Sequence, residues 1–296
     1  MTRIVSAISD TVIFLFAGNP PQPIGTAFIV GYPVPGHNDT YVPLVVTAKH
    51  VVADNAQLLG RFSTQAGTST AFVLYDIQVL RQAGDYWEHS DDGVDIAVFR
   101  SQHHVETKYA VLPRDLIATR DTLRDEDIAQ GDRIIFPALL VNFVGSARNY
   151  PVLRNGVIAL LPDERVPMQY SIGAKIIQTQ QEVLLLDATS IPGASGAPIF
   201  LWPGPRVKNN SFIFGGVKPY LLGIVHGFYP AVPRELVDVQ IAAATQMYAE
   251  NSGIAIAFPS WRLGEILQRD DLKGRMDHII ASGDASKAPL SNVPLG

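Results

Sequence analysis

Short apolar runs separated by turn residues recur along this chain, and no other feature of the sequence constrains its fold as strongly. The chain contains 24 glycines and 21 prolines, which together with Asn and Asp bound most of these runs. Such spacing is typical of the strands of β-sandwiches and β-barrels. The sequence therefore predicts an all-β fold, with strands at Val12–Ala17, Ile24–Val30, Tyr41–Thr47, Ala71–Leu80, Val94–Phe99, Arg133–Phe136, Leu139–Val144, Val152–Leu160, Lys175–Thr179, Glu182–Asp187, Ala197–Leu201, Leu221–Phe228 and Ile254–Phe258.

These strands fall into two sets, separated by the polar and charged segment His103–Gly131, which we interpret as the connection between two barrels. Helical patterns are scarce. Pro259 followed by "SWRLGEILQ" predicts one helix, because proline is favoured in a helix's first turn. Asp238–Asn251 is interpreted as a second, short helix. From Arg269 the chain becomes polar and ends in "GDASKAPLSNVPLG", a composition typical of poorly ordered tails.

Composition excludes several classes of protein. With 47% hydrophobic and 17% charged residues, the chain is expected to be packed and globular. A formal net charge of −5 and scattered basic residues argue against a nucleic-acid partner and against an anionic membrane surface. The absence of cysteine excludes disulfides, a thiolate nucleophile and cysteine-based zinc sites, and nothing indicates an oxidising compartment.

The N-terminus allows two interpretations. Arg3 followed by the apolar run Val12–Ala17 has some features of a signal peptide, but the run is short, follows Asp10 and lacks an Ala-x-Ala cleavage site. We favour a buried first strand. No other stretch approaches the roughly 18 apolar residues of a membrane helix. We therefore predict a cytoplasmic protein without a membrane partner.

Three residues together meet the requirements of a serine nucleophile, which needs a base, a group that orients the base, and N–H donors for the oxyanion. His50 follows the apolar strand "YVPLVVTAK", and Asp95 opens the strand "DIAVF" after the turn "SDDG". Ser195 lies in "PGASGAP", where Gly193 can turn its N–H toward the serine. Each signal alone is weak, whereas the combination indicates nucleophilic catalysis.

A rival serine chemistry is the nucleophile elbow of α/β-hydrolases, because "GASGA" is close to G-x-S-x-G. That fold requires the order serine, acid, histidine, which Asp238 and His278 would complete. Its serine must lead directly into a helix, but Pro198 follows closely and further prolines lie beyond it. Since a proline inside a helix costs about 3 kcal/mol, a strand after the serine is favoured.

The chain resembles the chymotrypsin-fold (trypsin-like) serine peptidases, and especially their bacterial HtrA-like branch. The resemblance extends from about Val12 to Gln268 and implies two six-stranded antiparallel β-barrels with a short C-terminal helix. Residues 1–115 would form the first barrel, residues 116–268 the second barrel and closing helix, and residues 269–296 a polar tail. The motifs that carry it are "GTAFIV" (Gly25–Val30), "VVTAKHVV" (Val45–Val52), "VDIAVF" (Val94–Phe99), "DATSIPGASGAP" (Asp187–Pro198) and "GIAIAFPSW" (Gly253–Trp261).

The resemblance implies a role for each matching residue. Ser195 would be the nucleophile, His50 the general base, and Asp95 the group that orients the imidazole. The backbone N–H groups of Gly193 and Ser195 would form the oxyanion hole. The implied activity is that of a serine endopeptidase acting on protein or peptide substrates without a cofactor. No metal is predicted either, because the remaining histidines lack metal-ligand spacing to nearby acids; examples are His37, His89, His103 and His104.

By the same resemblance, the backbone of His226, Gly227 and Phe228 would pair with an extended substrate, and Thr189 would lie near the base of the primary pocket. His226 takes a position that usually faces the triad's aspartate, so it is either a hydrogen-bonded structural histidine or a glutamate-selecting one. The expected pocket base has no acidic residue, which argues against Arg or Lys selectivity. We expect a small or medium apolar residue before the scissile bond.

Two departures from the family pattern stand beside the serine. Ala194 replaces the usual Asp or Asn, and Ala197 replaces the usual glycine. "RIV" (Arg3–Val5) resembles a zymogen cleavage site, but Ala194 has no carboxylate to bind a new amino terminus, so no zymogen step is expected. The alternative function is a silent or latent peptidase-fold module that binds peptides or partner proteins. The segment after Gln268 is too short for a PDZ module, and the sequence specifies neither an oligomer nor an activating partner.

Overall fold

The computed structural model describes residues 2–37, 40–101, 107–189, 191–231 and 250–283. The strands in this part are β1 (Val12–Ala17), β2 (Gln22–Pro33), β3 (Tyr41–Thr47), β4 (Gln57–Thr64), β5 (Thr70–Asp76), β6 (Tyr86–Glu88), β7 (Ala97–Arg100), β8 (Thr107–Lys108), β9 (Arg133–Ala138), β10 (Val152–Leu160), β11 (Arg165–Ile172), β12 (Lys175–Glu182), β13 (Leu184–Asp187), β14 (Pro198–Leu201), β15 (Arg206–Lys208), β16 (Ser211–Ile213), β17 (Leu221–Ala231) and β18 (Glu250–Pro259). The α-helices are α1 (Thr2–Asp10), α2 (Lys49–Ala53), α3 (Ile77–Gln82), α4 (Arg120–Asp125), α5 (Ser260–Leu267) and α6 (Asp270–Ala281), and a 3₁₀ turn spans Arg114–Leu116.

The N-terminal strands form one eight-stranded antiparallel sheet in the order β5-β4-β1-β2-β3-β7-β6, with β8 also paired to β4. The expectation of a six-stranded closed barrel in this half is not met among the described residues, because no ladder joins the outer strands β5 and β6. The sheet has eight strands instead of the expected six. One of them, β8, has only two residues and is too short to be recognised in the sequence. It pairs with β4, which also pairs with β1 and β5.

The C-terminal strands close into the expected six-stranded barrel, in the order β10-β13-β18-β17-β14-β9. Two hairpins, β11–β12 and β15–β16, lie outside this ring. Pairing of β14 with β17 ends at Pro198 opposite Ile224, although β17 continues to Ala231. The end of β17 therefore extends beyond its neighbour on that side.

Two helices at the ends of the described chain are absent from the sequence-based prediction. In α1, Ile8 is buried, and Ile4 and Val5 pack against the largest hydrophobic cluster. The polar tail expected from Arg269 begins instead with α6, which buries an apolar stripe formed by Leu272, Met276 and Ile279. Residues four and three positions apart share one helix face, so this stripe is sufficient to anchor a helix whose other positions are charged.

Other local predictions have mixed outcomes. The predicted strand Ala71–Leu80 is half strand and half helix, because Asp76 caps α3 by accepting a hydrogen bond from the Val79 N–H. Leu139–Val144 is not a strand in the structure. The helix after Pro259 is confirmed as α5. Most of the predicted helix Asp238–Asn251 lies outside the described residues. No helix in the described ranges combines the length and the apolar character needed to cross a membrane.

Candidate active site

Strand pairing brings His50 and Asp95 together. Strands β3 and β7 are antiparallel, with Thr47 opposite Ala97, so the end of β3 lies beside the start of β7. His50 follows β3 in the short helix α2, and Asp95 precedes β7. The backbone N–H of His50 donates to Asp95 Oδ1 at 2.8 Å, and the His50 ring donates from Nδ1 to Asp95 Oδ2 at 2.6 Å.

A second imidazole binds the same carboxylate. His226 donates from Nδ1 to Asp95 Oδ2 at 2.5 Å, so both rings share one oxygen. The Asp95 side chain has 0% exposure. Burial by itself would raise the pKa of Asp95, but the charges and hydrogen bonds of the two histidines outweigh it and lower that pKa well below its usual range. Asp95 is therefore a buried anion that is stabilised by hydrogen bonds from two imidazoles.

The hydrogen bond to Asp95 fixes how His50 can act. Donation from Nδ1 leaves Nε2 as the proton acceptor of the neutral ring. Burial would lower the pKa of His50, but the charge of Asp95 and the hydrogen bond to it raise the pKa above its ordinary value of 6.5. His50 is thus a base strengthened by its anionic partner.

The hydroxyl of Ser195 makes its hydrogen bond to a backbone carbonyl and not to this base. It donates to the backbone carbonyl of His226 at 3.0 Å, and in the described chain no hydrogen bond joins it to His50. Ser195 therefore lies beside His226, whose ring contacts both Asp95 and His50, and we call the orientation of its hydroxyl toward the His226 carbonyl the resting orientation.

Strand β2 clamps the turn that carries Ser195. The hydroxyl of Thr26 donates to the Gly193 carbonyl at 2.6 Å and accepts from the Leu139 N–H at 2.9 Å. The Thr26 N–H donates to the Ser195 carbonyl at 2.9 Å. Sequence reasoning did not single out Thr26. The available signal was a polar residue in an otherwise apolar strand, and in the structure this side chain is fully buried.

Three N–H groups of the turn donate hydrogen bonds within the described chain and two do not. Those of Ala194, Gly196 and Ala197 donate to backbone carbonyls at 3.0, 2.8 and 2.9 Å. Those of Gly193 and Ser195 have no acceptor within the described ranges of the chain. These two are the donors that the resemblance assigns to the oxyanion hole. The turn needs glycine at two positions, since φ is +95° at Gly193 and +85° at Gly196.

The two alanines beside the serine are fully buried. Ala194 and Ala197 both lie in the hydrophobic cluster of the C-terminal barrel.

The segment that resembles a zymogen cleavage site, for which no cleavage is expected, begins at Arg3. In the structure Arg3 lies within helix α1. Ile4 and Val5 pack against the core, so this segment is part of the folded structure.

The predicted substrate-binding residues lie at the free end of β17. Gly227 and Phe228 pair with Ile256 and Ala255 of β18, and a register shift before Gly227 places His226 in a bulge. On the opposite edge of His226–Phe228, the described chain provides no paired strand. Thr189, which follows β13, is exposed, and no described hydrogen bond joins it to the triad.

A metal ion at this site would have to be bound by the side chains of His50, Asp95 and His226. Their potential ligand atoms lie within 4.8 Å of one another. A tetrahedral ion with ligand bonds of about 2.0–2.1 Å would hold nitrogen and oxygen roughly 3.3 Å apart. The observed separations of 2.5 and 2.6 Å are those of hydrogen bonds to a carboxylate. The spacing therefore fits protons between these atoms better than a metal.

Comparison with known proteins identifies the fold. No protein-family model and no curated protein sequence matches the chain. Among solved structures, the apo crystal structure of the MamO protease domain from Magnetospirillum magneticum is similar at 15% sequence identity and a TM-score of 0.50. The match covers 90% of this chain and 100% of that domain. The chain therefore has the chymotrypsin-like fold of a protease domain.

Proposed function

We propose that this protein is a serine endopeptidase that cleaves peptide bonds through an acyl-enzyme, with Ser195 as nucleophile, His50 as base and Asp95 as the orienting anion. The observation that carries the proposal is the His50–Asp95 pair, whose short hydrogen bond and charge prepare Nε2 of His50 to accept a proton beside Ser195. The unbonded N–H groups of Gly193 and Ser195 support it. The finer relationship to the HtrA-like branch rests on the sequence motifs.

The first chemical step begins when the Ser195 hydroxyl rotates from the His226 carbonyl to Nε2 of His50. Its oxygen attacks the substrate carbonyl while its proton passes to Nε2. The N–H groups of Gly193 and Ser195 stabilise the resulting oxyanion, and Asp95 stabilises the imidazolium. His50 then protonates the leaving amine, and the peptide C–N bond breaks. Water, deprotonated by His50, hydrolyses the ester and restores Ser195.

The open edge of β17 supplies the proposed substrate site. An extended peptide beside His226–Phe228 would add a strand to the barrel, and its backbone would supply most of the hydrogen bonds. The carbonyl of His226 is one acceptor on this edge, although Ser195 occupies it in the resting structure. A peptide N–H that takes this acceptor would release the serine hydroxyl toward His50.

A fluorophosphonate probe tests the proposal directly. We expect the wild-type protein to be labelled on Ser195, and labelling to be lost in Ser195→Ala and in His50→Ala, because the first removes the nucleophile and the second its base. Labelling is measured by intact-protein mass spectrometry, with circular dichroism to verify folding. His37→Ala is the control and should label normally, because His37 lies in the turn between β2 and β3, at the end of β3 opposite to His50.

The Ser195–His226 hydrogen bond also favours a second candidate function, a latent or silent module that binds peptides without cleaving them. The same experiment separates the two. A folded wild-type protein that is not labelled, yet binds extended peptides by fluorescence polarisation, would support the binding module and would reject an endopeptidase that is active in its resting state.

The rate of labelling should decrease at acidic pH. Only neutral His50 can accept the serine proton, and Asp95 raises the pKa of His50 above 6.5 in spite of the opposing effect of burial. Lowering the pH through this pKa protonates the base, so the rate should fall with a midpoint above 6.5. Second-order labelling rates from about pH 5 to about pH 9 measure the midpoint. A midpoint at or below the ordinary histidine value would contradict this assignment.

A further inference from the structure

His226 contacts every member of the candidate triad. Its ring donates to Asp95 at 2.5 Å, its carbonyl accepts from Ser195 at 3.0 Å, and its ring meets the His50 ring edge-on with centroids 5.4 Å apart. Only 12% of the His226 side chain is exposed. The register shift in β17 leaves residue 226 without a paired residue in β18. His226 makes all three contacts from this bulge.

The ring of His226 is held in place from two further sides. Tyr170 of the β11–β12 hairpin packs against it with centroids 4.6 Å apart, and Phe258 of β18 packs edge-on at 5.7 Å. The Tyr170 hydroxyl donates to the Gly93 carbonyl at 2.7 Å, so it does not compete for Asp95. The histidine is therefore packed in an orientation that keeps Nδ1 on the carboxylate.

We propose that His226 is a positioning residue of the triad, which takes a share of the negative charge of Asp95 Oδ2 and thereby limits the basicity of His50. This inference rests on the proposed peptidase function. Asp95 Oδ1 already accepts the backbone N–H of His50, so both rings depend on the single oxygen Oδ2. A proton donor that draws charge from this oxygen weakens its attraction for the proton of the other ring.

Among the residues that the structure describes, the other charged or titratable groups near His226 do not replace this effect. His50 and Asp95 are its direct partners, and Tyr170 stays protonated because burial, followed by the charges of Asp95 and nearby aspartates, raises its pKa. Phe258 contributes no charge. Asp91 belongs to the loop before Asp95 and accepts hydrogen bonds from Gln181 and Gly93, away from the two imidazoles. The balance on Oδ2 is therefore set by the two histidines.

A matched pair of variants tests the proposal. Asparagine places its Nδ2 donor the same number of bonds from the backbone as Nδ1 of histidine, and leucine has the same branching without a donor. Both keep the residue 226 carbonyl that accepts from Ser195. We expect His226→Leu to raise the pH midpoint of labelling by about one unit, because Oδ2 then serves His50 alone. His226→Asn should keep the wild-type midpoint.

A titration that needs no activity separates this inference from the proposed function. The pKa of His50 is measured by NMR from the ring resonances of histidine-labelled protein, in the wild type and both variants, with thermal unfolding as the check on folding. If the wild type is not labelled by the probe, the peptidase proposal fails while this titration still decides the role of His226. An equal His50 pKa in wild-type protein and His226→Leu would overturn it, and so would an equal rise in both variants.

Discussion

Replacing Asp95 with asparagine should lower the rate of peptide hydrolysis by about four orders of magnitude while leaving the fold in place. Within the described chain the carboxylate accepts three N–H donors, two on His50 and one on His226. An asparagine amide keeps one acceptor oxygen and presents an NH₂ group to the remaining donors. The His50 ring then avoids two opposed donors by carrying its proton on Nε2, where it can no longer accept the proton of Ser195.

The control for this prediction is Asp92→Asn in the same loop. The Asp92 side chain is 80% exposed and pairs with Lys175 on the surface, so its charge should contribute little. Hydrolysis is measured with a fluorogenic peptide or an activated ester, and folding by circular dichroism. A decrease of less than tenfold in Asp95→Asn would argue that the carboxylate does not select the tautomer of His50.

The same substitution should also change how stability depends on pH. The pKa of Asp95 in the folded protein lies below its ordinary value, so its ionisation stabilises the fold above the unfolded pKa of 3.8. This contribution is lost as the pH falls through the folded pKa. Asp95→Asn should therefore be less stable than wild type at neutral pH, and the difference should shrink in strong acid.

The residue types of the candidate site could be predicted because the chemistry requires them. Serine nucleophilicity requires a base and an orienting acid, and the motifs around His50, Asp95 and Ser195 place each at a strand end. The family resemblance also assigns His226 a position that faces the aspartate. The sequence contains no signal that two rings share one oxygen, since that depends on the bulge in β17. The resting orientation of Ser195 likewise depends on a carbonyl that only the folded chain brings near.

The fold could be predicted from the sequence to about the same extent as the candidate site. Alternating and continuous apolar runs indicate strands, and six of them close the C-terminal barrel as expected. Closure of the N-terminal sheet into a barrel depends on pairing between its two edge strands. A pattern of apolar residues predicts strands but does not show which strands pair. Thr26 illustrates the same limit at the site, because its three hydrogen bonds to backbone groups join residues far apart in sequence.

Replacing Gly196 with alanine should destabilise the protein by more than about 3 kcal/mol and abolish labelling of the neighbouring serine. Its φ of +85° disfavours any side chain, and an added Cβ would overlap the Thr26 carbonyl oxygen and the Thr47 hydroxyl, which are hydrogen-bonded to each other. To make room, the turn must move away from β2 and the end of β3. That movement would break the Thr26 hydrogen bonds to Gly193 and Ser195, whose N–H groups are the donors proposed for the oxyanion hole.

Gly131→Ala separates backbone strain from this steric overlap. Gly131 has nearly the same φ, +87°, but an added Cβ would meet no atom within 4 Å. It should therefore cost only about 1 kcal/mol, from strain in the left-handed region, and leave labelling unchanged. Urea unfolding monitored by tryptophan fluorescence gives both free energies of unfolding. Equal costs for the two substitutions would mean that the turn yields to the extra methyl group, in which case contact with β2 does not fix the position of Ser195.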